Sequence, residues 1–141
     1  MKKIGLDVGD KTIGIAVSDA LLITAQGLMT IQRIGIRKDI DKVIALVKEH
    51  ECDTIVVGLP TNLNGTNSIQ TDKVMEFKIM LENKMRSTGM STINVVFQDE
   101  RFTTLIAERV LIDADVSRKK RKEVIDKQAA IIILQSYLDA Q

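Results

Sequence analysis

Asp7 is the first acidic residue whose position suggests chemistry. It lies in the middle of an alternating apolar segment, where a carboxylate is costly to bury unless it is hydrogen-bonded, protonated or bound to a cation. Its own side of this segment otherwise carries only Gly5 and Gly9, and small residues follow on the next segment: Gly14, Ala16 and Ser18. A strand face that carries only small side chains indicates that either a helix packs very closely there or a ligand approaches the backbone. Alternatively, Asp7 supports the turn that follows it.

A second acidic position follows a later apolar segment. Asp99-Glu100-Arg101 comes after a predicted strand and before a predicted helix, at the carboxyl end of the strand, where α/β proteins place ligands. The alternative is a solvated group of charges in front of a helix that Thr103 or Thr104 caps. The residues alone leave both interpretations open.

Asp126 is the third candidate, in the first turn of the predicted last helix. The helix dipole alone favours an acid there. Asp126 also precedes Ala130 and Ile133 by four and seven residues, on the apolar side of the helix, which favours a functional role. Three converging carboxylates suit Mg²⁺ or Mn²⁺. Two such ions about 4 Å apart activate water and stabilise the leaving oxygen in phosphodiester cleavage. The sequence has no His/Cys pattern with zinc spacing.

Positive charge is concentrated in one segment, although the net charge of the chain is only +1. Any affinity for nucleic acid must therefore come from local patches. The segment is Arg118-Lys119-Lys120-Arg121-Lys122, which we call the basic run. It is either a solvated loop or a loop that holds a phosphate backbone beside the last helix. Lys11 and Arg101, both close to candidate acids in sequence, are further candidate contacts to nucleic acid.

The elements that must position these residues are predicted in the order β-β-β-α-β-α-β-α-α. Strands are predicted at 2–9, 12–18, 27–33, 54–58 and 93–98, the last two buried. Helices are predicted at 37–51, from the polar loop 61–68 to about residue 86, at 103–114 and at 123–139, with the basic run as a loop before the last one. The first two strands form an antiparallel hairpin. This order predicts an α/β fold with a mixed five-stranded sheet and helices on both faces.

The composition is that of an ordinary globular protein. The 141 residues fit one domain, 1–141, with 45% hydrophobic and 28% charged residues. The single cysteine, Cys52, excludes an internal disulfide and suits a reducing compartment. Without a leader or an apolar run of about 20 residues, we expect a soluble cytoplasmic protein with no membrane partner.

Four segments together resemble one family. They are IGLDVGDKTIGIAVSD (4–19), VVGLPTNLNGT (56–66), DERFTT (99–104) and VIDKQAAIIILQSYLD (124–139), in family order and over nearly the whole chain. The chain resembles the YqgF family, also called RuvX, whose members are described as pre-16S rRNA nucleases or Holliday junction resolvases. The resemblance implies an RNase H-like fold and a Mg²⁺ or Mn²⁺ site formed by Asp7, Glu100 and Asp126, with Asp99 either a fourth acid or a neighbour.

The resemblance also implies a substrate class. It is structured RNA, at the 5′ end of the small-subunit rRNA precursor, while junction DNA is the older proposal. Two other classes compete with a nuclease. An actin-like or sugar-kinase-like phosphotransferase shares the Asp-x-Gly hairpin but needs two such domains, and a non-catalytic nucleic-acid-binding module would be expected to have lost an acid. The residues leave open whether the protein forms a homodimer.

Overall fold

The computed structural model describes residues 1–60, 69–99 and 118–141, and in the last of these ranges side chains from residue 128 onward. The strands are β1 (Lys2–Val8), β2 (Thr12–Ser18), β3 (Ala25–Gln32), β4 (Cys52–Leu59) and β5 (Asn94–Asp99). The helices are α1 (Ile36–Glu49), α2 (Ile69–Ser87) and α3 (Arg118–Asp139). Glu100, Arg101, the predicted loop 61–68 and the predicted helix 103–114 lie outside the described residues.

The five strands form one mixed sheet, as the sequence predicted, and their order in it is β3-β2-β1-β4-β5. β1 pairs with β2 in an antiparallel hairpin, and β2 pairs with β3 in the same sense. β4 is parallel to β1 and to β5. Because β1, β4 and β5 run in the same direction, their carboxyl ends at Val8, Leu59 and Asp99 lie along one edge of the sheet.

Apolar residues cover both faces of this sheet. On one face, alternate residues of β1 and β4 join α1 and α2 in the larger core, with Leu6, Val57 and Phe77 fully buried. On the other face, a smaller cluster joins the sheet to α3; its buried members are Ala16, Val56, Ala130, Ile133, Leu134 and Leu138. β4 contributes to both clusters, which confirms the prediction that its continuous apolar run is buried on both sides.

The helix α1 is amphipathic. In α1 the buried apolar residues recur at the predicted spacing; they are Ile40, Val43, Ile44 and Val47. Such a helix buries one stripe against a core and leaves the opposite side polar. Across residues 1–60, 69–99 and 118–141, none of the helices has the length and apolar character that crossing a bilayer requires.

Two predictions about local structure were wrong. The basic run was predicted as a loop before a helix starting at residue 123, but α3 already begins at Arg118. Arginine and lysine are good helix formers, so a run of them need not interrupt a helix. β5 was predicted to be buried, but its residues are half-buried or exposed. It is the last strand of the described sheet, so only one of its sides pairs with a neighbour.

Candidate functional site

Asp7 lies near the carboxyl end of β1, half-buried and directly opposite Gly14 of β2. Side chains alternate between the two faces of a strand, so Asp7 shares the face of Gly5. Gly5 is in contact with α3, which places Asp7 on the side of the sheet that α3 covers.

Glycine at position 5 allows α3 to approach the sheet very closely. A Cβ atom added to Gly5 would lie 2.8 Å from the Cβ of Leu134 and 3.2 Å from the carbonyl oxygen of Ala130. The first distance is shorter than any carbon–carbon contact a packed core tolerates. Of the two explanations for the strand face with only small side chains, close packing of a helix is therefore confirmed at Gly5.

The direction of α3 follows from its contacts at two levels of the sheet. Gln135 accepts a hydrogen bond from the backbone N–H of Ala25 and donates one to the carbonyl of Ile23, both 2.9 Å long. Ala25 pairs with Ser18, whose Oγ accepts a hydrogen bond from the backbone N–H of Lys3. Gln135 thus lies level with the start of β1, whereas Ile131 contacts Gly27, which is level with Gly5 through Ala16. α3 runs antiparallel to β1.

This direction places the backbone of Asp126 on the Asp7 side of the contact at Gly5. Asp126 is four residues before Ala130, a rise of about 6 Å, and eight residues before Leu134, a rise of about 12 Å. Asp7 is two residues after Gly5, an advance of about 6.7 Å along the strand. Both steps lead from the contact at Gly5 towards the same edge of the sheet. The side chain of Asp126 lies outside the described part of α3.

Asp99 lies at the same edge, as the final residue of β5, exposed and paired with Leu59 of β4. Glu100 follows directly but lies outside the described residues. Among the side chains that the structure describes, no three acidic, histidine or cysteine residues form a group that could hold a metal ion. Of the predicted set, only Asp7 falls among those side chains.

The turn after Asp7 is fixed by side chains from other elements. The Gly9 N–H donates to the Thr12 carbonyl at 2.9 Å, and the Gly9 carbonyl accepts from Nη1 of Arg33 at 2.7 Å. Gln70, near the start of α2, donates through Nε2 to the carbonyl of Val8 at 3.2 Å. Lys11 is exposed in this turn, and its contact with nucleic acid stays a prediction.

Arg33 and Asp39 form a partly buried ion pair that the sequence did not indicate. Nε of Arg33 lies 2.9 Å from Oδ2 of Asp39, whose side chain is completely buried. Desolvation raises the pKa of Asp39, but the hydrogen bond and charge of Arg33 and the backbone N–H of Ile34 outweigh it, so this pKa is lowered from its usual value. An acid in the first turn of a helix is common, so this residue carried no distinctive signal.

Comparison with known families identifies the chain. The family model described as "RuvX: Holliday junction resolvase" matches residues 1–140. The chain belongs to the RuvX family. Among relatives, a Clostridioides difficile protein is 55% identical over 135 residues, which is 96% of this chain and 92% of that protein. A Thermoanaerobacter pseudethanolicus protein is 51% identical over 142 residues, covering 100% and 98%. Both are named "Putative pre-16S rRNA nuclease".

Solved structures similar to this RuvX protein confirm its fold. RuvC of Thermus thermophilus in complex with a Holliday junction substrate has a TM-score of 0.62 at 13% identity, over 99% of this chain and 94% of that one. The Holliday junction resolvase of fowlpox virus has a TM-score of 0.54 at 12% identity, over the full length of both. The predicted α/β fold with a mixed five-stranded sheet, similar to that of RuvC resolvases, is therefore confirmed.

Proposed function

We propose that this RuvX protein is a metal-dependent nuclease, one catalytic domain over 1–141, that processes the 5′ end of the 16S rRNA precursor in the cytoplasm. Relatives at 51% and 55% identity over nearly their whole length bear the name of a pre-16S rRNA nuclease. The observation that supports the proposal most directly is the contact of α3 with Gly5, because it packs the helix that carries Asp126 on the face of the sheet that Asp7 shares.

The chemistry of this edge fits a hard divalent cation. Carboxylate oxygens are the ligands that Mg²⁺ and Mn²⁺ prefer. Asp7 offers a half-buried carboxylate, and Asp99 lies at the same edge of the sheet. In our proposal Asp7, Glu100 and Asp126 hold the cations. The bound ions would lower the pKa of a water molecule and neutralise charge on the leaving oxygen of a phosphodiester.

The first turns of α3 are suited to binding the substrate backbone. Arg118 precedes Ala130 by twelve residues, or about 18 Å of helix. β1 continues only about 10 Å from Gly5 to Val8. The start of α3 therefore extends beyond the edge of the sheet on the side of Asp7. In this position the basic run, with Lys11 and Arg101, would neutralise phosphates on both sides of the scissile bond.

Branched DNA is the second candidate substrate. The matching family model is described as a Holliday junction resolvase, which favours this alternative. The likeness to RuvC at 13% identity supports the fold and does not choose between RNA and DNA. The full-length relatives favour RNA, and we adopt it as the main proposal.

The test is cleavage of a labelled 16S precursor fragment and of a four-way DNA junction, each with Mg²⁺ and with Mn²⁺. We expect cleavage of the RNA, reduced by more than about a hundredfold in Asp7→Asn, Glu100→Gln and Asp126→Asn, because each substitution removes a ligand charge while keeping its shape. Circular dichroism should show that each variant is folded.

Asp53→Asn is the matched control. Asp53 lies near the amino end of β4, at the opposite edge of the sheet, where it pairs with Lys3 at 2.9 Å. This variant should cleave like the wild type. An acid-to-amide variant that kept full activity would remove its residue from the site. Cleavage of the junction alone would favour the resolvase, and RNA binding without cleavage in either metal would favour a non-catalytic module.

A further inference from the structure

Arg33 connects the end of β3 to the turn after β1. Its Nη1 donates to the carbonyl of Gly9 at 2.7 Å, and its backbone N–H donates to the carbonyl of Lys11 at 2.9 Å. One residue thus fixes two carbonyl groups of the turn that follows Asp7. The β1–β2 pairing ends at Val8 and Ile13, so these contacts lie just beyond the regular ladder.

The orientation of the Arg33 guanidinium is itself fixed. Nε donates to the Asp39 carboxylate at 2.9 Å, and the other oxygen of that carboxylate accepts from the Ile34 N–H at 3.1 Å. The guanidinium carbon lies 5.6 Å from the centre of the Phe77 ring, within the range of a cation–π contact. The planar guanidinium is bound to Asp39 and packed against Phe77, so it has little rotational freedom. This arrangement maintains its hydrogen bond to the Gly9 carbonyl.

We propose that Arg33 is a positioning residue for the metal site, acting through the Gly9 carbonyl on Asp7. This inference rests on the proposed function of Asp7 as a metal ligand. Gly9 is two residues after Asp7, so the direction of the chain at Gly9 constrains the strand end that carries the carboxylate. Residues that hydrogen-bond directly to metal ligands typically change metal affinity or activity by about 10- to 100-fold when they are replaced. Arg33 acts one step further away, through Gly9, so we expect an effect at the lower end of this range.

The competing explanation is that Arg33 only stabilises the fold through its ion pair with Asp39. Removing Arg33 alone would leave a buried charge without its partner and could unfold the protein. We therefore choose the double variant Arg33→Met/Asp39→Leu, which removes both charges while filling their space. Arg33→Lys retains a positive charge near Asp39 but lacks the planar fork, so it tests geometry separately from charge.

The control is the double variant Lys3→Met/Asp53→Leu. It removes an ion pair of the same 2.9 Å length near the opposite end of β1. Three measurements are made on folded protein: Mn²⁺ affinity by calorimetry without substrate, hydrogen exchange of the Gly9 amide by NMR, and kcat and KM for the RNA fragment.

We expect Arg33→Met/Asp39→Leu to bind Mn²⁺ about tenfold more weakly and to lower kcat about tenfold, with KM for RNA unchanged. Its Gly9 amide should exchange faster. Arg33→Lys should show the same direction of change, and the control should match the wild type. Faster exchange at Gly9 with Mn²⁺ affinity within about twofold of the wild type would overturn the positioning role. Wild-type Mn²⁺ affinity in Asp7→Asn would instead overturn the proposed metal site, and this inference with it.

Discussion

Gly5→Ala tests the closest contact between the sheet and α3. The added Cβ would lie 2.8 Å from the Cβ of Leu134 and 3.2 Å from a helix carbonyl, and neither atom is the end of a flexible side chain. The helix must therefore move outward. Overpacking of this kind costs about 1–3 kcal/mol, and the lower entropy of the unfolded alanine chain returns about 0.5 kcal/mol. We expect a net loss of roughly 1–2 kcal/mol in the free energy of unfolding.

Urea denaturation and thermal melting measure this loss, which corresponds to a decrease in Tm of roughly 3–8 °C for a chain of this size. Gly27→Ala is the matched control on β3. Its added Cβ would lie 3.2 Å from Cδ1 of Ile131, a side-chain end that can rotate away. We expect it to change the free energy of unfolding by less than about 0.5 kcal/mol. A Gly5→Ala protein as stable as the Gly27→Ala protein would refute the argument that α3 packs directly against the backbone of β1 at Gly5.

Two further predictions concern charge. The pKa of Asp39 is lowered in the folded protein, so its contribution to stability is complete above the unfolded pKa of about 3.9 and is lost as the pH falls through the folded pKa. Urea unfolding should therefore show a shallower loss of stability below about pH 4 in Asp39→Asn than in the wild type; equal slopes would exclude this role. Replacing all five cations of the basic run with glutamine should weaken RNA binding and flatten its slope of log affinity against log salt, by about 3.5 to 4.5 if each contacts a phosphate. An unchanged slope would show that the run does not bind phosphate.

The sequence predicted the part of the fold that depends on period and composition. The alternation of apolar residues predicted the first two strands and their hairpin. In the structure this hairpin places Asp7 opposite Gly14. The absence of large side chains around Asp7 indicated either a closely packed helix or a ligand, and the structure shows the helix at Gly5. Both signals are local, because they depend on which residues alternate along one strand and on how large they are.

The features that the sequence did not reveal depend on contacts between distant segments. Arg33 and Asp39 are ordinary residues for a strand end and a helix start, and only the fold brings the Gly9 carbonyl to the same guanidinium. The exposure of β5 depends on its place at the end of the sheet, which its apolar residues cannot indicate. For Glu100 and Asp126, convergence with Asp7 stays a prediction from the family resemblance.

The position of the basic run in α3 bears on its role. Cations in the first turn of a helix face the positive end of the dipole, at a cost of about 0.3–1 kcal/mol each. Like charges three or four residues apart add repulsion of a few tenths of a kcal/mol per pair. Five consecutive cations starting at Arg118 therefore destabilise the start of α3. A bound phosphate backbone would offset both costs, since it places anions beside the dipole and among the repelling charges. These two costs support our proposal that the basic run binds a phosphate backbone.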